Sequence, residues 1–238
     1  MKIDDKLSPN HDDRGHVKPS LIILHYTGMQ TDIEVYKKFR DPDSKVSSHY
    51  TVDEAGSVHH HVDEERRAWH AGASFWQGET DINAHSIGIE IVNPGHEFGY
   101  RPFPADQMRA VAALCKDIMA RHKIKPASVL AHSDIAPSRK EDPGELFDWK
   151  MLAGQGVGVW PDADAEDRAK GISYQSDENR LREALGRYGY DTRCATPVLL
   201  RAFQRHFHPE VFGALDSAGV MTAETATRLA ALLRISAL

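Results

Sequence analysis

"SLIILHY" (residues 20–26) and "SIGIEIVN" (residues 86–93) decide the fold. The first is an apolar run after Pro19, long enough for a buried strand and too short for a helix. In the second, Ile87, Ile89 and Ile91 alternate with Gly88, Glu90 and Val92, which is the two-residue period of a strand. "SSHYTVD" (47–53) and "GSVHHHV" (56–62) read as two more strands around the turn "DEAG", and "SVLAH" (128–132) as another. Between them, Thr31 with Glu34 is a capping-box pair that opens a helix through Phe39. Asp106 is expected to cap a long amphipathic helix with Met108, Val111, Cys115, Ile118 and Met119 on one face, stopped by Pro126. The reading is α/β: a mixed central β-sheet flanked by helices.

After Trp160 the character changes. "PDADAEDRAKGIS" (161–173) is polar and weakly periodic, and reads as a linker. Three helical patterns follow. Leu181, Leu185 and Tyr188 share a face ahead of Gly189; Thr196-Pro197 caps a run with Leu199, Phe203 and Phe207; Thr222 opens a last helix. The expected division is a main unit over 1–165 and a small three-helix domain over 174–238.

Composition narrows the function. The chain has 238 residues, a formal net charge of -6 and no basic block, which argues against nucleic acid as a partner. No apolar run approaches a membrane span, and the N-terminus shows no apolar leader core. The cytoplasm is the expected compartment, with the periplasm or an outer-membrane attachment as the alternative if a leader has been removed. Two cysteines are too few for a disulfide framework, whereas 14 histidines leave ligands to spare for a transition metal.

"LAHSDIAPSRKEDPG" (130–144) gives those histidines a task. His25 and His132 end two buried strands and can converge at a sheet edge, with Asp142 on the adjoining loop as a third ligand. Two imidazoles and a carboxylate with one open position describe a catalytic zinc site. Glu90 lies mid-strand among isoleucines, where a carboxylate is expensive to bury without a task, and it suits a general base and acid. Lys140 could donate to an oxyanion, so the inferred chemistry is hydrolysis of an amide or ester. His49, His70 and its neighbour Trp69 are expected to line the cleft, contacting substrate or orienting a ligand. Plainer readings stand beside these: a strand-end His that only hydrogen-bonds, Asp142-Pro143-Gly144 as an ordinary turn, a Glu90 salt bridge. The run His59-His60-His61 alternates between sheet faces and cannot present three ligands together.

"IILHYT", "SSHYTVDEAGSV", "RRAWHAG", "SIGIEIVN", "AHSDIAPSRKEDPG" and "GVGVWPD" together resemble the type-2 N-acetylmuramoyl-L-alanine amidases, in order from about residue 20 to 162. The resemblance implies a zinc enzyme that cleaves the amide between N-acetylmuramic acid, or its 1,6-anhydro form, and L-alanine of peptidoglycan stem peptides. It implies muropeptides as the partners. It matches His25, His132 and Asp142 to the family's zinc ligands, Glu90 to its catalytic carboxylate and Lys140 to its oxyanion-stabilising lysine. "LREALGRYGYD" and "LLRAFQRHF" are similar to small three-helix peptidoglycan-binding modules. A tethered module of that kind would be separable, leaving a fragment that ends near residue 165 active on small muropeptides. The competing reading is a non-catalytic peptidoglycan-recognition protein; such relatives lose a ligand position, and here all three are filled.

Overall fold

Pro19 and the isoleucines behind it place an almost fully buried strand at the centre of the molecule. The computed structural model describes residues 3–213 and 217–236. Its strands are β1 (Ile3–Asp5), β2 (His11–Asp13), β3 (Leu21–Tyr26), β4 (Tyr50–Val52), β5 (Val58–His60), β6 (Arg66–Ala68), β7 (Ser86–Ile91) and β8 (Val129–Ala131). Six of them form one sheet in the order β1-β5-β4-β7-β3-β8, and β2 pairs with β6 apart from it. β3 runs parallel to both neighbours, β7 and β8, while β4 and β5 are antiparallel, so the sheet is mixed as expected.

The helices are α1 (Asp32–Arg40), α2 (Ile82–His85), α3 (Gly95–Phe98), α4 (Ala105–His122), α5 (His132–Ile135), α6 (Trp149–Gly154), α7 (Ala165–Ser176), α8 (Glu178–Tyr188), α9 (Thr196–Phe207) and α10 (Ala223–Ser236). Thr31 and Glu34 form the anticipated capping box on α1. α4 departs from expectation at both ends. Pro104 occupies its cap position with Asp106 inside the first turn, and Lys123 ends it by taking a left-handed conformation before Pro126 is reached.

Strand alternation gives the sheet two different faces. Ile22, Leu24, Ile87, Ile89 and Ile91 pack against Met108, Val111, Cys115 and Ile118 of α4. Leu21, Ile23 and Leu130 point the other way, into a core completed by the C-terminal helices through Tyr188, Tyr190, Leu199 and Phe207. Trp76 meets Tyr188 and Tyr190 edge-on at 5.2 and 5.3 Å. Between those tyrosines a Cβ on Gly189 would come within 2.5 Å of the Trp76 ring, so only glycine permits the approach.

The linker reading of 161–173 is wrong. Residues 165–176 are α7, opened by an Asp164–Asp167 capping box and packed along α10. Gly171, which weakened the helical signal, lies where a Cβ would stand 3.0 Å from the Ala226 carbonyl carbon; it admits close helix contact. Among the described residues α7 thus precedes the three α-helices, α8 to α10, that fill the expected C-terminal unit.

Candidate active site

Register brings the site together. Leu24 pairs with Ala131, so the next residues, His25 and His132, emerge side by side at the carboxyl ends of β3 and β8. His25 itself pairs with Glu90 on β7. Three adjacent parallel strands thus deliver two imidazoles and a carboxylate to one edge, on the face that carries Leu21 and Ile23. His132 does not end its strand; it begins the single-turn helix α5. The amide of Ser133 in that turn donates to the Asp142 carbonyl at 3.0 Å, which ties the loop carrying Asp142 to the edge.

His25, His132 and Asp142 are buried, with one nitrogen or oxygen from each within 4.8 Å of the others. His25 Nδ1 and His132 Nδ1 stand 2.9 Å apart, and each lies 3.0 Å from Asp142 Oδ2. Hydrogen bonds on the far sides of the rings fix the tautomers. His132 Nε2 donates to the Ala71 carbonyl at 3.0 Å, so Nδ1 is the nitrogen turned toward His25 and Asp142. Ser86 Oγ donates to the Ile82 carbonyl and accepts from His70 Nε2; His70 Nδ1 is then an acceptor for His25 Nε2 at 3.0 Å. Burial, with His132 nearby, lowers His25 to about 4, so its Nδ1 carries no proton at neutral pH. Burial alone would raise the Asp142 carboxyl, but His132 and His25 outweigh it and hold it below the usual carboxylate range. Two imidazole nitrogens and a carboxylate oxygen converge on one point, a donor set that fits a divalent cation.

Glu90 has the opposite electrostatics. Burial, reinforced by Asp142, pushes its carboxyl well above the usual range despite Lys140 and Lys38. Its Oε2 is buried without a hydrogen-bond partner. The plainer reading of Glu90, a salt bridge, has no counterpart among the described ion pairs. Glu90, Lys140 and the three ligand candidates line one cleft of about 800 Å³, together with Tyr26, Trp69 and the cationic Lys38 and Lys45.

The other candidates separate. Trp69 lines the cleft, its indole donating to Asp12 Oδ2 at 2.7 Å. His70 touches the cleft but its ring is spent on orienting His25, and a Cβ on Gly88 would collide with it at 2.5 Å. His49 is placed elsewhere: fully buried, with Nδ1 accepting the Gly88 amide and Nε2 facing the Arg66 carbonyl and Arg14. It has no surface in the cleft. Sequence reasoning missed Ser86, Asn83 and Asp134. Asn83 Oδ1 accepts the amides of His70 and Ala71 at 3.0 and 2.8 Å and so shapes the loop that His132 and His25 lean on. Only a polar residue stranded in apolar surroundings, as Asp134 is in "SDIA", could have signalled these roles.

Fold and site together define an α/β enzyme whose buried His-His-Asp group is compatible with one metal ion. The family model of N-acetylmuramoyl-L-alanine amidases matches residues 15–145, and the chain belongs to that family. AmiD of Escherichia coli K12 is 39% identical, over 90% of this chain and 82% of its own. The solved complex of AmiD with anhydro-N-acetylmuramic acid-L-Ala-D-gamma-Glu-L-Lys superposes with a TM-score of 0.76 at 38% identity, covering 91% of this chain and 89% of that one. The structure of AMPDH3 from Pseudomonas aeruginosa gives a TM-score of 0.80 at 31% identity, covering 97% and 96%.

Proposed function

We propose that this amidase uses zinc to hydrolyse the bond between the lactyl group of N-acetylmuramic acid, the 1,6-anhydro form included, and L-alanine of a stem peptide, in wall recycling or turnover. One observation carries the reading: two imidazole Nδ1 atoms and a carboxylate oxygen converge beside a carboxyl that burial keeps ready for a proton. His25, His132 and Asp142 hold the metal, which when bound lowers the pKa of a water and polarises an amide carbonyl.

The chain's own residues do the rest. Glu90 takes a proton from the attacking water and passes it to the departing alanine nitrogen, a cycle that its raised affinity for protons favours. Lys140, on the cleft wall, offers its ammonium to the oxygen that gains charge at the tetrahedral stage. Trp69 provides a flat apolar surface, and Lys38 and Lys45 give an acidic stem peptide opposite charge along the same wall.

Mass spectrometry of products from the anhydromuramyl tripeptide, with chelator and with added zinc, tests the proposal. The expected result is free tripeptide and free sugar, lost with chelator and restored by zinc. Intact substrate with zinc present, or turnover indifferent to chelator, would defeat it.

No helix among the described residues is long and apolar enough to cross a membrane. Our reading places the enzyme in the cytoplasm, in keeping with two unpaired cysteines, Cys115 and Cys194. Its recovery from envelope fractions of disrupted cells would overturn that. The C-terminal helices are read as a wall-binding surface as well, which co-sedimentation of the inactive full chain with sacculi would test.

A further inference from the structure

Asp134 is a buried carboxylate in the helix that His132 opens, and it needs donors from all sides. It has three. Oδ2 accepts the amide of Ala131, the residue before His132, at 2.8 Å. Oδ2 also accepts from His206 Nδ1 at 2.7 Å, and Oδ1 from the Tyr190 hydroxyl at 2.6 Å. Two of the three donors therefore come from the C-terminal region, His206 from α9 and Tyr190 from the loop between α8 and α9. The His206 ring is locked in place, stacked between Trp149 at 3.7 Å and Phe207 at 3.8 Å.

The preceding residue on α9 holds the other half of the site. Arg205 is only 5% exposed; its Nη2 donates to Glu141 Oε2 at 2.5 Å and its Nε to Glu145 Oε2 at 3.2 Å. Glu141 lies between Lys140 and Asp142. Consecutive residues of one helix thus grip both segments that bear His132, Lys140 and Asp142.

We infer that Arg205, His206 and Tyr190 are positioning residues: α9 and the loop before it clamp the two segments of the site, through Asp134 on one and Glu141 and Glu145 on the other. The inference rests on the reading of His132, Asp142 and Lys140 given above. Charge-assisted hydrogen bonds to a buried carboxylate resist rotation and translation of its helix, and displacement of ligands by a fraction of an ångström is enough to weaken metal binding and turnover.

Full-length Tyr190→Phe keeps the ring and removes one hydroxyl, and Arg205→Met keeps most of the buried stem and removes the fork; Arg205→Lys keeps the charge. Leu229→Ala, a core change in α10 that removes no hydrogen bond of the clamp, controls for stability. The measurements are kcat and KM on the anhydromuramyl tripeptide, the half-time of zinc loss to a chelator, amide exchange over residues 131–145, and melting temperature. Tyr190→Phe and Arg205→Met should each lower kcat about tenfold with KM nearly unchanged, hasten zinc loss and speed exchange over 131–145. Arg205→Lys should recover part of each. Leu229→Ala should lower the melting temperature with kcat at the wild-type value. The clamp is overturned if Tyr190→Phe and Arg205→Met behave like Leu229→Ala, losing stability alone. A wild type that leaves the tripeptide intact defeats the amidase reading and not the clamp, which the exchange rates decide without any turnover.

Discussion

His25 Nε2 and His70 Nδ1 lie 3.0 Å apart, and the proton between them belongs to His25. Ser86 dictates this, because its hydroxyl proton goes to the Ile82 carbonyl and its oxygen accepts from His70 Nε2. A histidine outside the ligand group therefore decides which nitrogen of His25 faces Asp142. His70→Ala should lower zinc affinity and turnover by roughly 10–100-fold, and Ser86→Ala by less, since the ring stays packed. Zinc titration against a fluorescent chelator measures both. Wild-type affinity in His70→Ala would show that packing alone holds His25.

The three proposed ligands leave no redundancy. His25→Ala, His132→Ala and Asp142→Ala should each reduce zinc to a small fraction of one ion per chain and abolish turnover, with the circular dichroism of the fold retained. Metal analysis on gel-filtered protein decides it; one variant with full zinc and normal activity removes that residue from the ligand set.

The sheet and the candidate metal group were legible because both depend on short-range pattern. Apolar runs of strand length gave β3 and β7, and a His at the end of one and a Glu within the other fell into register as soon as the strands paired. What escaped was long-range. His49 reads like any other cleft histidine until β7 is seen covering it, and Asp134 reads as a loop acid until α9 arrives from 72 positions away. α7 escaped because its stability comes from α10, through the ion pair of Asp167 with Arg234 at 2.7 Å and the contact that Gly171 permits, and scarcely from its own periodicity.

Glu90 separates chemistry from metal binding and stability from function. Glu90→Gln should keep zinc yet lose at least about a hundredfold in kcat. Because the folded protein binds the Glu90 proton more tightly than the unfolded chain does, this group costs stability as pH rises above the ordinary carboxylate range. The metal-free Glu90→Gln protein should accordingly melt above the metal-free wild type at pH 7, and the gap should close on acidification. Lys140→Met should lower kcat by roughly 10²-fold, the worth of one oxyanion donor, with zinc retained. A Glu90→Gln enzyme of normal activity would make Glu90 a bystander.

Buried neutral imidazoles set the acid limit of the metal-free fold. Burial is the largest cause in each case, lowering His25 and His61 to about 4 and His49 to about 3, and His70 well below its usual value. Between about pH 6.5 and 4 the unfolded chain binds protons that the folded one refuses, so stability falls as pH falls, by about 1.4 kcal/mol per pH unit for each such ring. Asp142, held below the usual carboxylate range, adds a loss of the same sign at lower pH. Melting temperature of chelator-treated protein should therefore drop steeply from pH 6.5 to 5. A flat profile over that window would mean that these rings are charged in the fold.

Removal of the C-terminal helices should cost far more than affinity for the wall. The face of the sheet that carries His25 is covered by them: Ile23, Trp76, Leu130 and Ile135 share one core with Tyr188, Tyr190 and Phe207. Exposing such side chains costs about 1.5–3 kcal/mol each, against a total stability of roughly 5–15 kcal/mol for an ordinary fold. The same cut leaves buried Asp134 with the Ala131 amide alone and frees Glu141 and Glu145 from Arg205. A separable fragment that hydrolyses small muropeptides almost normally, as expected of a tethered module, would have to expose this face. A truncation after Asp164 should be recovered largely aggregated, and its soluble fraction should melt well below the full chain and be impaired alike on the anhydromuramyl tripeptide and on intact sacculi. Parallel melting curves and both assays on one preparation distinguish the cases. A stable fragment with normal tripeptide turnover and a defect confined to sacculi would show that the sheet face tolerates exposure and that the helices serve only to bind polymer.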